Sequence, residues 1–592
     1  MMSKRFLALL ILTAIMHGAV AAVFEGRVFL DVNKNGIYDD GEAGMADVIV
    51  SDSDNVVKTD ANGWFKLESR AKKPLLWIMR PSQHEPTTPF WMHGREGVIH
   101  EFGLAQSPQK KDFMFFHITD THINKSALMK ETVAQINSLP LEDVAFVVHT
   151  GDHVLGSDTK TIFNAIKQYD SYLIGEYGLK YPMFHVCGNH ELANTRHAVR
   201  HPDHDFYAKG IYRHRYGPTV YSFDWADVHF IVLDGQQEQP EGAYTYYNDD
   251  IQLGWLQKDL ALLPEGKPIV IFQHEILEKN IDKYLEGKNV IAAFGGHSHR
   301  TWTRSFKGFT NYIVAAVCVG WWGMQNRDGH PQGFQLTSVK DNKLENFVFL
   351  NRKGHNAISN VTPMGNNILK GEQEFVFSVL DYGKPVEVTA ELDGKPFALE
   401  KKSQERLWSY WSGKLDTTTL FDGVHDFHLT AKQDGKESDY TVRYLILNGN
   451  EDKEFKMEQQ TVFMTCRVPK CTMDVEVHVN GTPIGKLLKG GDPVVTWKPE
   501  TYKAMKGYGK KQELTMFEVD PSLLRKLNAV NFVNTATEKQ EGAVDLEIIH
   551  LNYPDKDGKN KVLKDIRFYN NQTFHVKGSK PGSSVSMKIM FE

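Results

Sequence analysis

The chemistry-bearing residues of this 592-residue chain fall into five short clusters: Asp120-Thr121-His122, Gly151-Asp152, Gly188-Asn189-His190-Glu191, a lone His274, and Gly296-His297-Ser298-His299. They offer carboxylates, one amide and several imidazoles. Imidazole and carboxylate together suit Zn, Mn or Fe, whereas calcium wants oxygen alone. A pair of ions needs about seven or eight donor positions and tolerates a bridging carboxylate, so the count fits a dinuclear site. Each cluster alone says little, since a His after a strand is usually a hydrogen-bonded loop residue and Gly-Asp is usually a turn. Their coincidence in order is what points to a metal centre.

Each cluster follows an apolar run: Phe113 to Phe116, Val144 to Val148, Met183 to Val186, Ile269 to Phe272, and Val290 to Phe294. Short unbroken apolar runs read as strands covered on both faces. Between them lie helical stretches such as Ile251 to Leu263, where Leu253, Leu256, Leu260 and Leu263 recur at helical spacing. This is an α/β layout. Ligands of open α/β sheets sit beyond the carboxyl ends of the strands, so the five clusters are expected around one cavity.

With these motifs in order, residues 112 to 350 resemble the calcineurin-like metallophosphoesterases, and the whole chain resembles exported bacterial members with β-modules before and after the catalytic domain. The resemblance implies an α/β fold, a four-layer metallophosphoesterase domain flanked by an N-terminal β-sandwich and C-terminal β-sandwich modules. It implies that Asp120, His122 and His299 hold one metal, that Asn189, His274 and His297 hold the other, and that Asp152 bridges both. It makes His190 the catalytic residue that protonates the leaving oxygen as general acid or steadies the developing charge on the phosphoryl group, and lets Glu191 orient it. Purple acid phosphatases, a sister group, place an iron-binding Tyr three residues after the bridging Asp. Here that position is Leu155, so a tyrosinate-iron site is not expected, and Mn, Zn or Fe remains open for the two ions. Such ions lower the pKa of coordinated water towards about 7 and clamp phosphoryl oxygens for in-line displacement.

The expected activity is hydrolysis of a phosphate ester. A phosphomonoesterase acting on small or sugar-linked phosphates is preferred to a phosphodiesterase with the same site, because no basic groove for nucleic acid is evident. The chain carries 68 basic and 74 acidic side chains, a formal charge of −6, and no basic stripe. A rival of another class is a glycan-binding surface protein.

Residues 1–22 read as a signal peptide, with Lys4 and Arg5, an apolar run from Phe6 to Met16, and Ala19-Val20-Ala21-Ala22 as the cleavage region. The expectation is an exported, periplasmic or extracellular bacterial protein with no transmembrane segment. Residues 23–106 read as a β-sandwich and 107–352 as the catalytic domain. Beyond it, 353–450 reads as an Ig-like sandwich and 451–592 as a jelly-roll-like one that binds sugar or merely packs. Within the first module, Asp31, Asn33, Asn35 and Glu42 have the spacing of an EF-hand loop flanked by strands; the loop is either a calcium site or a solvated acidic turn. Trp321, Trp322, Arg327, Asp328 and His330 would lie near the reactive edge, to stack on substrate or to seal the domain. His201, His204, Arg213, His214 and Arg215 follow Asn189 in a long loop and could contact phosphate. Four cysteines exclude a disulfide scaffold. Cys466 and Cys471 flank Arg-Val-Pro-Lys, read as a hairpin tip with either one bridge or two half-buried thiols.

Overall fold

The computed structural model describes residues 21–591 apart from 240–243, 320–325, 327, 365–367, 451–454, 472–473, 488–495, 498–513, 536–542, 555, 558–559, 564, 568–572 and 578–583. Export rests on residues 1–22, nearly all outside the described part.

Two sheets face one another in the catalytic domain. The first contains β1 (Phe113–Ile118), β2 (Val144–His149) and β3 (Met183–His185) in parallel, in the order β3-β2-β1. Two later antiparallel strands continue that sheet beyond β1. The second sheet begins with β4 (Tyr221–Trp225) and β5 (Val228–Val232), an antiparallel hairpin. It continues in parallel through β6 (Pro268–Phe272) and β7 (Asn289–Gly295), and ends with β8 (Trp302–Ser305) and β9 (Thr310–Ile313), giving the order β4-β5-β6-β7-β9-β8. The two strands that extend the first sheet are β10 (Gly333–Lys340) and β11 (Lys343–Asn351), giving β3-β2-β1-β10-β11.

Aromatic rings fill the space between the sheets. Phe115 stacks on Phe146 at 5.1 Å and meets Phe272 and Phe294 edge-on at 5.9 and 5.8 Å. The alternate residues Met114, Phe116 and Val147 face α1 (Ala127–Ser138) and α2 (Ile162–Glu176) through Met129, Val133, Ala165 and Tyr172. On the far side, α4 (Asp250–Ala261) supplies Leu253, Trp255, Leu256 and Leu260, the preceding helix α3 being the short Gly210–Arg215 turn. Asp249 caps α4 by accepting Gln252 N–H at 2.8 Å, which stabilises such a terminus by about 1 kcal/mol. Helix, sheet, sheet and helix make four layers, and burial on both faces explains the unbroken apolar runs.

The N-terminal module is a sandwich of two four-stranded sheets around Val28, Val50, Phe65, Leu67, Phe102 and Leu104. It packs on the catalytic domain through Trp77, whose ring lies 5.9 Å from Trp255, and Trp255 Nε1 donates to Ser51 Oγ at 3.1 Å. In the loop before Val48, the Asp31 carboxylate accepts Asn35 and Gly36 N–H, Asn33 Oδ1 accepts Asn35 N–H, and Asn35 Oδ1 accepts Ile37 N–H. Glu42 accepts Val32 and Asp39 N–H. These backbone bonds account for the loop's shape.

After the catalytic domain come two further sandwiches. The first has sheets of four and five strands closing over Phe375, Phe377, Phe427 and Tyr444. The second has sheets of six and five strands closing over Val462, Val477, Val530 and Phe532. Cys466 and Cys471 lie on a single strand, Val462–Cys471, so the segment between them is not a hairpin tip. Extended chain rises about 3.3 Å per residue, so five residues of strand set the two backbone positions farther apart than a bridge spans, and the Cys471 side chain lies outside what the structure describes. Cys466 is a buried free thiol whose pKa burial pushes up to about 12.

Candidate metal centre

The ends of β1, β2, β6 and β7 and the turn after β3 bring all seven predicted donors together. Asp120, His122, Asp152, His297 and His299 take φ values of +52°, +44°, +56°, +66° and +51°. Left-handed backbone is costly away from glycine and persists where the surroundings over-determine it, as at functional sites. The surroundings here are close. A methyl group at Gly296 would overlap Thr119 Oγ1 and the Asp120 carboxylate, and one at Gly188 would overlap Asp152.

The donors form two groups. In the first, His122 Nε2 lies 3.1 Å from His299 Nε2, and Asp120 Oδ1 lies 3.7 and 3.4 Å from those nitrogens. In the second, Asn189 Oδ1 lies 3.2 Å from His274 Nε2 and 2.9 Å from His297 Nδ1. Asp152 Oδ2 is 3.7 Å from His122 Nε2 and 3.2 Å from His274 Nε2, within reach of both. Bonds of about 2.0–2.2 Å to one ion put neighbouring ligand atoms about 3.0–3.5 Å apart, close to these separations.

Tautomers agree with this fit. His274 Nδ1–H donates to Thr150 O at 2.6 Å and His299 Nδ1–H to Val319 O at 2.6 Å, leaving each Nε2 lone pair on the cavity side. A metal-binding His characteristically gives its other N–H to a carbonyl in this way. Asp120 Oδ1 is buried with no hydrogen-bond partner among the described residues, an arrangement that is costly unless a cation meets it. The residues therefore fit a pair of transition-metal ions.

His190 is 4% exposed, and its ring centre lies 4.7 Å from that of His122. Its Nδ1 sits 3.0 Å from Ser157 Oγ and 3.1 Å from Asp158 Oδ2. Glu191 turns elsewhere. Its carboxylate accepts the N–H groups of Asp152 at 2.7 Å, Gly188 at 2.8 Å and His153 at 2.9 Å, so it fixes the loop of the bridging carboxylate rather than the His190 ring. Burial, with Asp152 nearby, pushes the Glu191 carboxyl up to about 7. Ser157 and Asp158 carry no motif, and only their position five and six residues after Asp152, level with His190, marks them.

Other candidates have partners outside the donor set. Asp328 holds His330 Nδ1 at 2.9 Å and also accepts Thr301 N–H, tying its loop to the chain just after His299. Trp321, Trp322 and Arg327 lie outside the described residues. Arg213 donates to Lys73 O at 3.2 Å, His214 lies against His93, and Arg215 pairs with Asp170 at 2.7 Å, so these three serve the N-terminal seam and α2.

Residues 113–301 match the model of the calcineurin-like phosphoesterase family, and residues 32–115 match the model for the N-terminal domain of calcineurin-like phosphoesterases. Residues 32–301 thus carry the catalytic domain and the N-terminal companion domain of this family of metal-dependent phosphoric ester hydrolases. No curated protein matches the chain. Among solved structures it is similar to GAP50, the anchor in the inner membrane complex of Plasmodium, at 16% identity and a TM-score of 0.28, covering 41% of this chain and 86% of that one. It is similar to a predicted phosphoesterase of Streptococcus pneumoniae at 12% identity and a TM-score of 0.21, covering 41% and 91%. It is also similar to the sulfate thiohydrolase SoxB of Thermus thermophilus at 10% identity and a TM-score of 0.27, covering 41% and 56%.

Proposed function

We propose that this chain is an exported phosphomonoesterase acting on small or sugar-linked phosphates. One ion would be held by Asp120, His122 and His299, the other by Asn189, His274 and His297, with Asp152 between them. Such a pair supplies a nucleophile at neutral pH and neutralises phosphoryl charge. The chain's own residues do the rest. Asp152, fixed through its backbone by Glu191 and accepting His190 N–H at 2.8 Å on Oδ1, keeps Oδ2 turned to the cavity. His190, steadied at Nδ1 by Ser157 and Asp158, offers its other nitrogen as the donor of a proton to the leaving oxygen.

The observation that carries the monoester reading is recession. Asp120, His122, Asp152, Asn189, His274 and His299 are each at most 2% exposed, and His297 alone of the seven is half-buried. Deeply buried donors suit a terminal phosphate better than the middle of a polymer, and the acidic balance of the chain disfavours a polyanion. Export is supported by the basic start, apolar run and small residues of positions 1–22.

The test is steady-state hydrolysis of 4-nitrophenyl phosphate against bis-4-nitrophenyl phosphate and sugar phosphates, on enzyme whose Mn, Zn and Fe have been counted by mass spectrometry. The proposal expects kcat/KM at least about tenfold higher for monoesters, a transition-state difference of about 1.4 kcal/mol. A preference for the diester would make the site a phosphodiesterase. Inactivity on every ester with two ions bound would favour the glycan-binding alternative.

A further inference from the structure

We propose that the seam between the N-terminal sandwich and the catalytic domain holds a binding site for a compact organic anion, a carboxylate or phosphate on an apolar body. A cavity of about 170 Å³ opens there, walled by Pro86, Phe90, Met183, Phe184 and Phe223, with Arg80 and Tyr216 also in its lining. Arg80 stands at the junction of the two units: its carbonyl accepts Asp224 N–H at 2.8 Å, next to the edge strand β4.

Arg80 is 6% exposed. Its Nε donates to His84 O at 2.7 Å, and its guanidinium lies 4.3 Å over the Trp225 ring. Among the described residues no carboxylate pairs with it, and Glu85 acts on it only through space. Burial consequently lowers its pKa to about 10. Other buried cations are paired: Lys209 with Asp234 at 2.6 Å, His229 with Asp224 and Asp259 at 2.7 and 2.9 Å. A buried charge is costly unless paired, so this exception in a cavity wall calls for an anion from outside. Tyr216, 8% exposed, adds a buried hydroxyl with no hydrogen-bond partner among the described residues.

The chemistry of the ligand follows from the walls. A guanidinium fork grips a carboxylate or phosphate through two parallel hydrogen bonds, while the phenyl and proline faces cover an apolar body. The volume equals that of about six liquid waters and falls below the roughly 300–1,000 Å³ of pockets for drug-sized ligands, so the occupant is a small acid and not a nucleotide.

The test uses the full chain in phosphate-free buffer, with the Asp152→Ala chain as a control for anion binding at the metal centre, and isothermal titration with phenylacetate, benzylamine and benzyl alcohol. Phenylacetate is expected to bind at one saturable site with a Kd near about 1 mM or below, at least about tenfold tighter than the cationic and neutral analogues. Arg80→Met should abolish this binding while leaving the melting temperature unchanged or raised. Phe90→Trp, which narrows the cavity and keeps the charge, should weaken binding at least about tenfold. Absence of saturable phenylacetate binding, equal affinity for benzyl alcohol, or unchanged affinity in folded Arg80→Met or Phe90→Trp would overturn the proposal.

Discussion

Asp152 and His190 sit side by side in the cavity and should fail in different ways. Asp152 is the carboxylate within reach of both donor groups, so Asp152→Ala is expected to lose both ions, as counted by mass spectrometry. His190→Ala should keep two ions and lower kcat by about 10²- to 10⁴-fold, the range for loss of a general acid. Asp158 reaches His190 Nδ1 at 3.1 Å without belonging to either donor group. Asp158→Asn should retain both ions and lower kcat by about 10- to 100-fold with KM little changed, the usual scale for an outer partner of a catalytic group. Residue types at strand ends made the donors legible in the sequence, because the chemistry of metal binding restricts which side chains qualify. Ser157 and Asp158 were not legible. A serine and an aspartate in a loop have many uses, and only the fold brings them against His190. Glu191 was legible as important and misread in role, since the neighbouring His190 suggested an imidazole partner while its carboxylate was needed by three backbone N–H groups.

At the scale of strands and turns, the site depends on backbone that side chains must not crowd. Gly296 directly follows β7 and lies against Thr119 and Asp120, so Gly296→Ala should push β7 off β1, lower the melting temperature and weaken metal retention. A loss of at least about 2 kcal/mol in denaturant unfolding is expected, since steric overlap in a core is among the few causes of large effects. A second device holds β5 to its neighbours. His229 lies fully buried, with Nδ1 2.7 Å from Asp224 and Nε2 2.9 Å from Asp259. Burial opposes its charge, but the two carboxylates prevail and raise its pKa to about 9. A raised folded pKa stabilises through the cation: the contribution is fully present below about pH 6.5 and is lost as pH rises through about 9. Unfolding measured at pH 6.5, 8 and 9.5 should show this decline in the parent and a flatter profile in His229→Gln. The apolar runs were legible as strands because both faces are covered. This charged network was not, since nothing in the types or spacing of Asp224, His229 and Asp259 shows that they meet until β4, β5 and α4 pack.

At the scale of the whole molecule, the first and last modules relate to the catalytic domain differently, while the sandwich that directly follows it shares core residues Leu380 and Trp408 with it. The N-terminal sandwich shares a core with it: Trp77 and Ile49 pack in the same cluster as Trp255, Phe223 and Phe230, and Ser53 Oγ donates to Val220 O at 2.7 Å. The last sandwich draws its core from its own residues, Val462 to Leu563. The sequence separated these modules by texture, yet texture carries no record of which surfaces meet, because an apolar residue reads alike whether it fills its own module or a neighbour's. Truncation distinguishes the two cases. A chain ending at Asn450 should retain both ions, keep kcat/KM within about twofold and lose only the unfolding transition of the missing module. A chain beginning at Ser107 uncovers Trp255 and the outer edge of β4, and exposing one large buried side chain costs about 1.5–3 kcal/mol. It should therefore melt lower and aggregate. Calorimetry and light scattering on the two truncated chains check both outcomes; equal melting temperatures for their catalytic domains would show that the shared tryptophan core contributes nothing to stability.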